Sequence, residues 1–235
     1  MTAPIEAVLF DWGGTLTPFH DIDLPELWRA AAEVLAPDRV DDLAAALVEV
    51  ELACWDRTSG TMASFTVDDV LRAASESLGL DVEDAVHSLA TDAYRGGWGP
   101  HLVARPDAVD VVRAVKGRGL RTGVLSNTHW PRHWHEEALA EDGLLEHLDA
   151  RVYTSELAYM KPHPEAFGAL LAAVDVDPLR SVFVGDRLYD DISGAQALGM
   201  RTVWIRNDRV PAYDVMPDAV IAELSELIAV IDDWR

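Results

Sequence analysis

Four short polar clusters carry most of the chemistry this sequence is equipped for. The first is Asp11-Trp12-Gly13-Gly14-Thr15-Leu16-Thr17. A carboxylate followed by two glycines sits over exposed backbone N–H groups, a nest suited to an anion; it equally fits a turn capped by the aspartate. The second, Ser126-Asn127-Thr128, offers a hydroxyl and an amide to a phosphate oxygen, or a helix cap ahead of Pro131. The third holds Lys161, which with Lys116 makes up all the lysine in the chain, inside Tyr159-Met160-Lys161-Pro162-His163-Pro164. Pro162 has no N–H and stiffens the approach of that lysine. The fourth is Gly185-Asp186-Arg187-Leu188-Tyr189-Asp190-Asp191. Its carboxylates, brought beside Asp11, would repel one another unless a cation lay among them. Oxygen-only donors suit Mg²⁺; read alone, the run is an acidic loop capping the next helix.

The clusters fall at or near the ends of strand-length apolar runs. These runs are 5–10, 122–125, 151–153 and 182–184, and a fifth follows at 202–205. Helix-length amphipathic stretches alternate with them, near 106–118, 131–142, 164–174, 190–198 and 217–233. Strands apolar on both faces, alternating with helices, predict a parallel sheet covered by helices. Ligands of such sheets sit beyond the carboxyl ends of the strands. Residues 19–101 contain no convincing strand. They read as four helices, near 24–36, 40–58, 67–78 and 82–95, with Leu43, Leu47, Val50 and Cys54 at helical spacing. Gly79 suits a helix end, and Gly96, Gly97, Gly99 and Pro100 read as a hinge. The expected architecture is α/β: a Rossmann-like parallel sheet core over 1–18 and 102–235, with an all-helical cap domain inserted over 19–101.

Composition narrows the partners. With 235 residues, 49% of them hydrophobic, the chain can bury a sizeable core without disulfide or metal staples. Its 41 acidic and 19 basic residues give a net charge of -22, which repels phosphate backbones and anionic lipid. Nucleic acid and membrane surfaces are therefore excluded as expected partners. Cys54 is the single cysteine, so no internal disulfide forms and a reducing compartment fits. The N-terminal stretch lacks a basic start and long apolar run, and no run approaches the roughly 20 residues of a spanning helix. A cytoplasmic protein is expected.

Taken together and in order, the four clusters resemble those of the haloacid dehalogenase superfamily, and the likeness covers essentially the whole chain. The resemblance implies that Asp11 is the nucleophile and forms an aspartyl-phosphate. It implies that Ser126, with Asn127 and Gly14, binds the phosphoryl group, and that Lys161 offsets charge on nucleophile and phosphate. Mg²⁺ would be held by Asp11, the Gly13 carbonyl, Asp186 and Asp191, with Asp190 as the other choice for the last position. The implied activity is a Mg²⁺-dependent phosphatase acting on a small phosphorylated metabolite. Phosphoryl transfer suits such a set, because cations neutralise the equatorial oxygens while a carboxylate attacks in line.

One position departs from the pattern. Phosphatases of this family usually carry a second Asp two residues after the nucleophile, and here that residue is Gly13. General acid–base catalysis contributes about 10² to 10⁴ in rate, so turnover is expected to be weak, or a surrogate acid or a leaving group needing no proton must compensate. His20 and His129 are the candidate surrogates, although both also fit surface or packing positions. The related phosphonoacetaldehyde hydrolases need a cap lysine, and residues 19–101 contain none. Haloacid dehalogenases carry Tyr at the Gly13 position and lack the Gly-Asp metal motif, unlike Gly185-Asp186. An impaired member that binds phosphate or a protein partner is the alternative. His129, His133 and His135 would form a transition-metal site only on an unbroken helix. Trp28, Arg29, Trp55, Arg57 and Trp98 of the cap are candidates for substrate selection, Arg for a second anionic group, or for packing and solvation.

Overall fold

Short runs of Val, Leu, Ile and Phe build one six-stranded parallel sheet, in the order β3-β2-β1-β4-β5-β6. The strands are β1 (Ala7–Phe10), β2 (Arg121–Ser126), β3 (Ala150–Tyr153), β4 (Ser181–Gly185), β5 (Arg201–Ile205) and β6 (Ala219–Ile221). The computed structural model describes residues 4–235, and only the backbone of Pro100. Residues 1–3, the start of the expected core segment and of the stretch read for a leader, lie outside the described residues. Every residue of β1 is buried, and its alternation serves both faces. Val8 and Phe10 face the larger apolar cluster. Ala7 and Leu9 face the smaller one, with Phe167, Leu170 and Phe183.

The strand order reverses at β1, whose neighbours are β2 on one side and β4 on the other. Such a reversal opens a crevice at the carboxyl ends of the strands. Helices α1 (Leu24–Leu35), α2 (Val40–Thr61), α3 (Val67–Ser77) and α4 (Asp84–Trp98) come between β1 and α5 (Ala108–Gly117). They form the helical cap over that crevice. α6 (Arg132–Glu141), α7 (Pro164–Val174), α8 (Gly194–Ala197) and α9 (Leu227–Asp233) complete the layers. Among the described residues no helix is long and apolar enough to cross a membrane.

The structure departs from the sequence expectation in three places. The stretch 217–233, expected as one helix, is β6, a short 3-10 turn and α9. Ile221, Leu224, Leu227 and Ile231 are all buried, and their spacing also reads as helical; a three-residue edge strand is too short to show its own period. The stretch 190–198 begins as a wide π-helical turn at Leu188–Ser193 before α8. Gly96 and Gly97, read as a hinge, lie inside α4. Gly97 has a packing role: a Cβ there would sit 2.4 Å from Leu27 Cδ2 of α1. Glycine lets the two helices approach, and it does not end α4.

α6 buries Trp134 and His135. The His135 ring stacks on Tyr153 with centroids 4.5 Å apart, and meets Trp12 edge-on at 4.7 Å. Its Nε2 lies 3.0 Å from Thr128 Oγ1. Burial, then His129 and Arg132, push its pKa down from 6.5 to about 3. Below pH ~6.5 the unfolded chain therefore binds a proton the folded chain refuses. Stability is lost as pH falls from ~6.5 towards ~3, by about 1.4 kcal/mol per pH unit for this group. His135→Phe is expected to flatten the fall in unfolding free energy between pH ~6 and ~5 by about that amount, measured by urea titration.

Candidate active site

Asp11 stands one residue beyond β1, and its N–H still donates to the Val184 carbonyl at 2.8 Å. The sheet thus fixes the backbone from which its carboxylate projects. Lys161 arrives from the loop before α7 with its side chain buried. Its Nζ donates to Asp11 Oδ1 at 2.6 Å, Asp191 Oδ1 at 2.7 Å and the Leu125 carbonyl at 2.9 Å. All three ammonium hydrogens are thereby used. Asp191 Oδ2 accepts from the Arg187 N–H at 2.9 Å, which closes the wide turn after β4.

Asp186 is fully buried at the same place. Its Oδ2 accepts from Asn207 Nδ2 at 2.6 Å, and its carbonyl accepts from Trp204 Nε1 at 2.8 Å. Its Oδ1 is buried with no partner. Carboxylate oxygens of Asp11, Asp186 and Asp191 all lie within 4.8 Å of one another, and Asp190 is not among them. Asp190 borders the cavity instead, 3.7 Å from Arg187 Nη1.

These groups repel. Burial, then Asp11 and Asp191, push the Asp186 pKa up to about 7. Burial also raises Asp11, against the pull of Lys161. Burial works against the charge of Lys161, yet Asp11 and Asp191 hold it above the ordinary lysine range. With all three carboxylates ionised, one ammonium would leave two negative charges unbalanced in a buried site, and the raised pKa values of Asp186 and Asp11 express that cost. The unpartnered oxygen of Asp186 and the all-oxygen donor set fit a hard divalent cation such as Mg²⁺.

Glycines admit this crowding. Gly14 has φ +85°, and a Cβ on it would lie 2.3 Å from Asp186 Oδ2. A Cβ on Gly185 would lie 2.4 Å from the Asp191 carboxyl group. At Gly13 nothing lies within 4 Å of an added Cβ. Its missing side chain therefore leaves open space.

Ser126 is buried at the end of β2 and, like Gly13, Gly14 and Asn127, borders a cavity of about 920 Å³ in front of Asp11. The Asn127 amide is largely committed to Lys161. Its Nδ2 donates to the Lys161 carbonyl at 2.9 Å, and its Oδ1 accepts from the Lys161 N–H at 2.8 Å. Asn127 thus positions the lysine, with one amide hydrogen left for a ligand oxygen. A segment between α2 and α3 braces the same loop: the Ser64 N–H donates to the Ala158 carbonyl at 3.0 Å, and the Met160 N–H to the Met62 carbonyl at 2.9 Å.

His20 borders the cavity with Nε2 unpartnered, its ring edge-on to His101 at 5.1 Å. Burial, then His101 and Arg209, lower its pKa. His129 is buried, 3.2 Å from the Tyr94 hydroxyl and stacked on Phe65. It precedes α6, so it does not share a helix face with His133, and the acidic triad is the one metal-capable group among the described residues. Trp28 is core, and Trp55 and Trp98 border the cavity. Arg29 pairs with Asp41 at 2.7 Å, and Arg57 lies 3.6 Å from Cys54 Sγ. Neither arginine borders the cavity. Sequence reading missed Asn207, although it follows the apolar run 202–205 just as the four clusters follow theirs.

Comparison with known proteins gives the family. Residues 5–199 match the haloacid dehalogenase-like hydrolase family, to which the chain belongs. A glyceraldehyde 3-phosphate phosphatase from Methanopyrus kandleri is 28% identical over 97% of each chain. The (S)-2-haloacid dehalogenase 1 of Pseudomonas sp. (strain CBS-3) is 31% identical over 95% of each. The crystal structure of a 2-haloacid dehalogenase from Pseudomonas syringae pv. Tomato DC3000 superposes with a TM-score of 0.72 at 25% identity, over 98% of this chain and all of that one.

The two glycine positions separate crowding from mere glycine content. Gly185→Ala is expected to displace the Asp191 carboxylate and weaken Mg²⁺ binding by about tenfold or more, read by calorimetry with an unchanged circular dichroism spectrum. Gly13→Ala leaves that binding intact.

Proposed function

We propose that this chain is a Mg²⁺-dependent phosphatase of small phosphorylated metabolites that works through an aspartyl-phosphate on Asp11. The observation that carries the reading is the buried triad of Asp11, Asp186 and Asp191 with Lys161 as its one ammonium. The triad, with the Gly13 carbonyl, would hold Mg²⁺, which supplies neutralising charge for the phosphoryl oxygens. Asp11 attacks phosphorus, a P–O bond forms to its carboxylate, and the bond to the leaving oxygen breaks. Lys161 keeps Asp11 ionised and oriented, and Asn127 holds Lys161 in place. Ser126 donates its hydroxyl to a phosphoryl oxygen, and Gly14 gives the group room. Water then cleaves the acyl phosphate. Residues 19–101 act as the cap that closes over the cavity and excludes bulk water.

The weak point of this chemistry is the proton the leaving oxygen needs. Gly13 cannot provide it, which limits turnover of alkyl phosphates. The full-length likeness to a 2-haloacid dehalogenase supports a second reading, since a halide leaves without a proton. The crowd of acids around Asp11 weighs against it, because Lys161 pairs with Asp11 and Asp191 and leaves Asp186 with no cation to balance it.

With an aryl phosphate as substrate, Asp11→Asn is expected to abolish turnover, and chelation of Mg²⁺ to reduce it to background. Turnover unchanged in Asp11→Asn removes the nucleophile and with it this reading. Release of chloride from 2-chloropropionate without phosphatase activity would favour the second. Gly13→Asp, for which the space exists, is expected to raise kcat on an alkyl phosphate by about 10². No gain, with Mg²⁺ binding retained, means the missing acid is not what limits the rate.

A further inference from the structure

One buried carboxylate has no part in the chemistry above. Glu51, on α2, is 3% exposed and borders the cavity. Its Oε2 accepts from Trp28 Nε1 at 2.6 Å, and its Oε1 from Trp55 Nε1 at 3.1 Å. These are neutral donors, and each oxygen keeps a lone pair. The basic group nearest to it is His129, with Nε2 at 3.8 Å from Oε1. Burial lowers the pKa of that imidazole, against the opposing pull of Glu51, and at 3.8 Å the two groups are beyond hydrogen-bond distance. Among the described residues, no lysine or arginine pairs with Glu51. Buried charges are ordinarily paired, because an isolated one is expensive to desolvate. Glu51 therefore has neutral hydrogen-bond donors but no lysine or arginine partner among the described residues.

The rest of the cavity wall bears on what would pair with it. Glu51 is the one acidic or basic side chain that the helices α1 to α4 bring to it, alongside Trp55 and Trp98. Of the lysine and arginine side chains that border the cavity, Lys161 has no free hydrogen for a distal anion, and Arg187 is set beside Asp190, 3.7 Å away, in the turn after β4. Indoles around a carboxylate suit an alkylammonium, which gains from both the charge and the ring faces. A carboxylate tail would meet Glu51 at close range and be repelled.

We propose that the cavity receives a small phosphomonoester whose far end carries an ammonium group, and that Glu51 is the residue that selects it. This rests on the phosphatase reading for the phosphate end alone. Glu51 acts on affinity and takes no part in bond making.

The test uses the wild-type chain with Mg²⁺ and three non-hydrolysable probes of nearly equal size: 2-aminoethylphosphonate, propylphosphonate and 3-phosphonopropionate. Calorimetry is expected to rank them in that order, the amine about tenfold tighter than propylphosphonate. Glu51→Gln is expected to remove the preference for the amine and leave propylphosphonate affinity nearly as it was. Equal affinities, a preference for the carboxylate tail, or a preference for the amine that survives Glu51→Gln overturns the proposal. The wild-type ranking decides by itself if Glu51→Gln does not fold. If no phosphonate binds but butylammonium quenches tryptophan fluorescence in the wild type and not in Glu51→Gln, the phosphatase reading fails and the ammonium site stands. If butylammonium is silent too, both fail.

Discussion

A single ammonium group serving three buried carboxylates is the constraint around which this molecule is built. Lys161 reaches two of them directly, at 2.6 and 2.7 Å, and the third, on Asp186, is left with one oxygen unpartnered. Like charges at this spacing in a low-dielectric site are tolerable only when something else compensates them. The lysine is oriented for that work by the Leu125 carbonyl and by the two-way clamp of Asn127. Small residues do the rest, since Gly14 and Gly185 stand where any side chain would collide with an acid. The site is thus a balance of charge held by backbone geometry.

The sheet supplies that geometry. Asp11, Ser126 and Asp186 follow or end β1, β2 and β4, which are adjacent strands. Residues far apart in the chain are brought to one rim because the strand order reverses at β1. The strands that carry these residues are buried on both faces, so their ends cannot relax away from one another without breaking the core. Rigidity of this kind suits a site that must keep repelling groups in place.

Much of this was legible in the sequence, and the reasons are specific. The four clusters stood out because each accompanies an apolar run of strand length, and parallel strands leave a strong continuous signal. Asp191 was separable from Asp190 only in three dimensions, because the turn between β4 and α8 is π-helical and shifts which of two neighbouring side chains points inward. Asn207 carried the same signal as the other clusters but belonged to no recognised motif. β6 was hidden because three residues show no period. Glu51 sits one helical turn before Trp55, which was readable, but its other indole partner comes from α1, 23 residues away. A packing partner from another helix leaves no mark in spacing.

The strap of residues between α2 and α3 adds a mechanical consequence. Two chain crossings join the helical layer to the sheet, the Val67 N–H donates to the His129 carbonyl at 2.7 Å, and the backbone bonds from Ser64 and to Met62 make a further attachment, at the residue that precedes Lys161. A layer tethered at several points pivots only if some tethers yield or travel with it. Swinging open would therefore tug on the strand of backbone that carries the lone ammonium, so admission of solvent and loosening of the charge balance become one mechanical event.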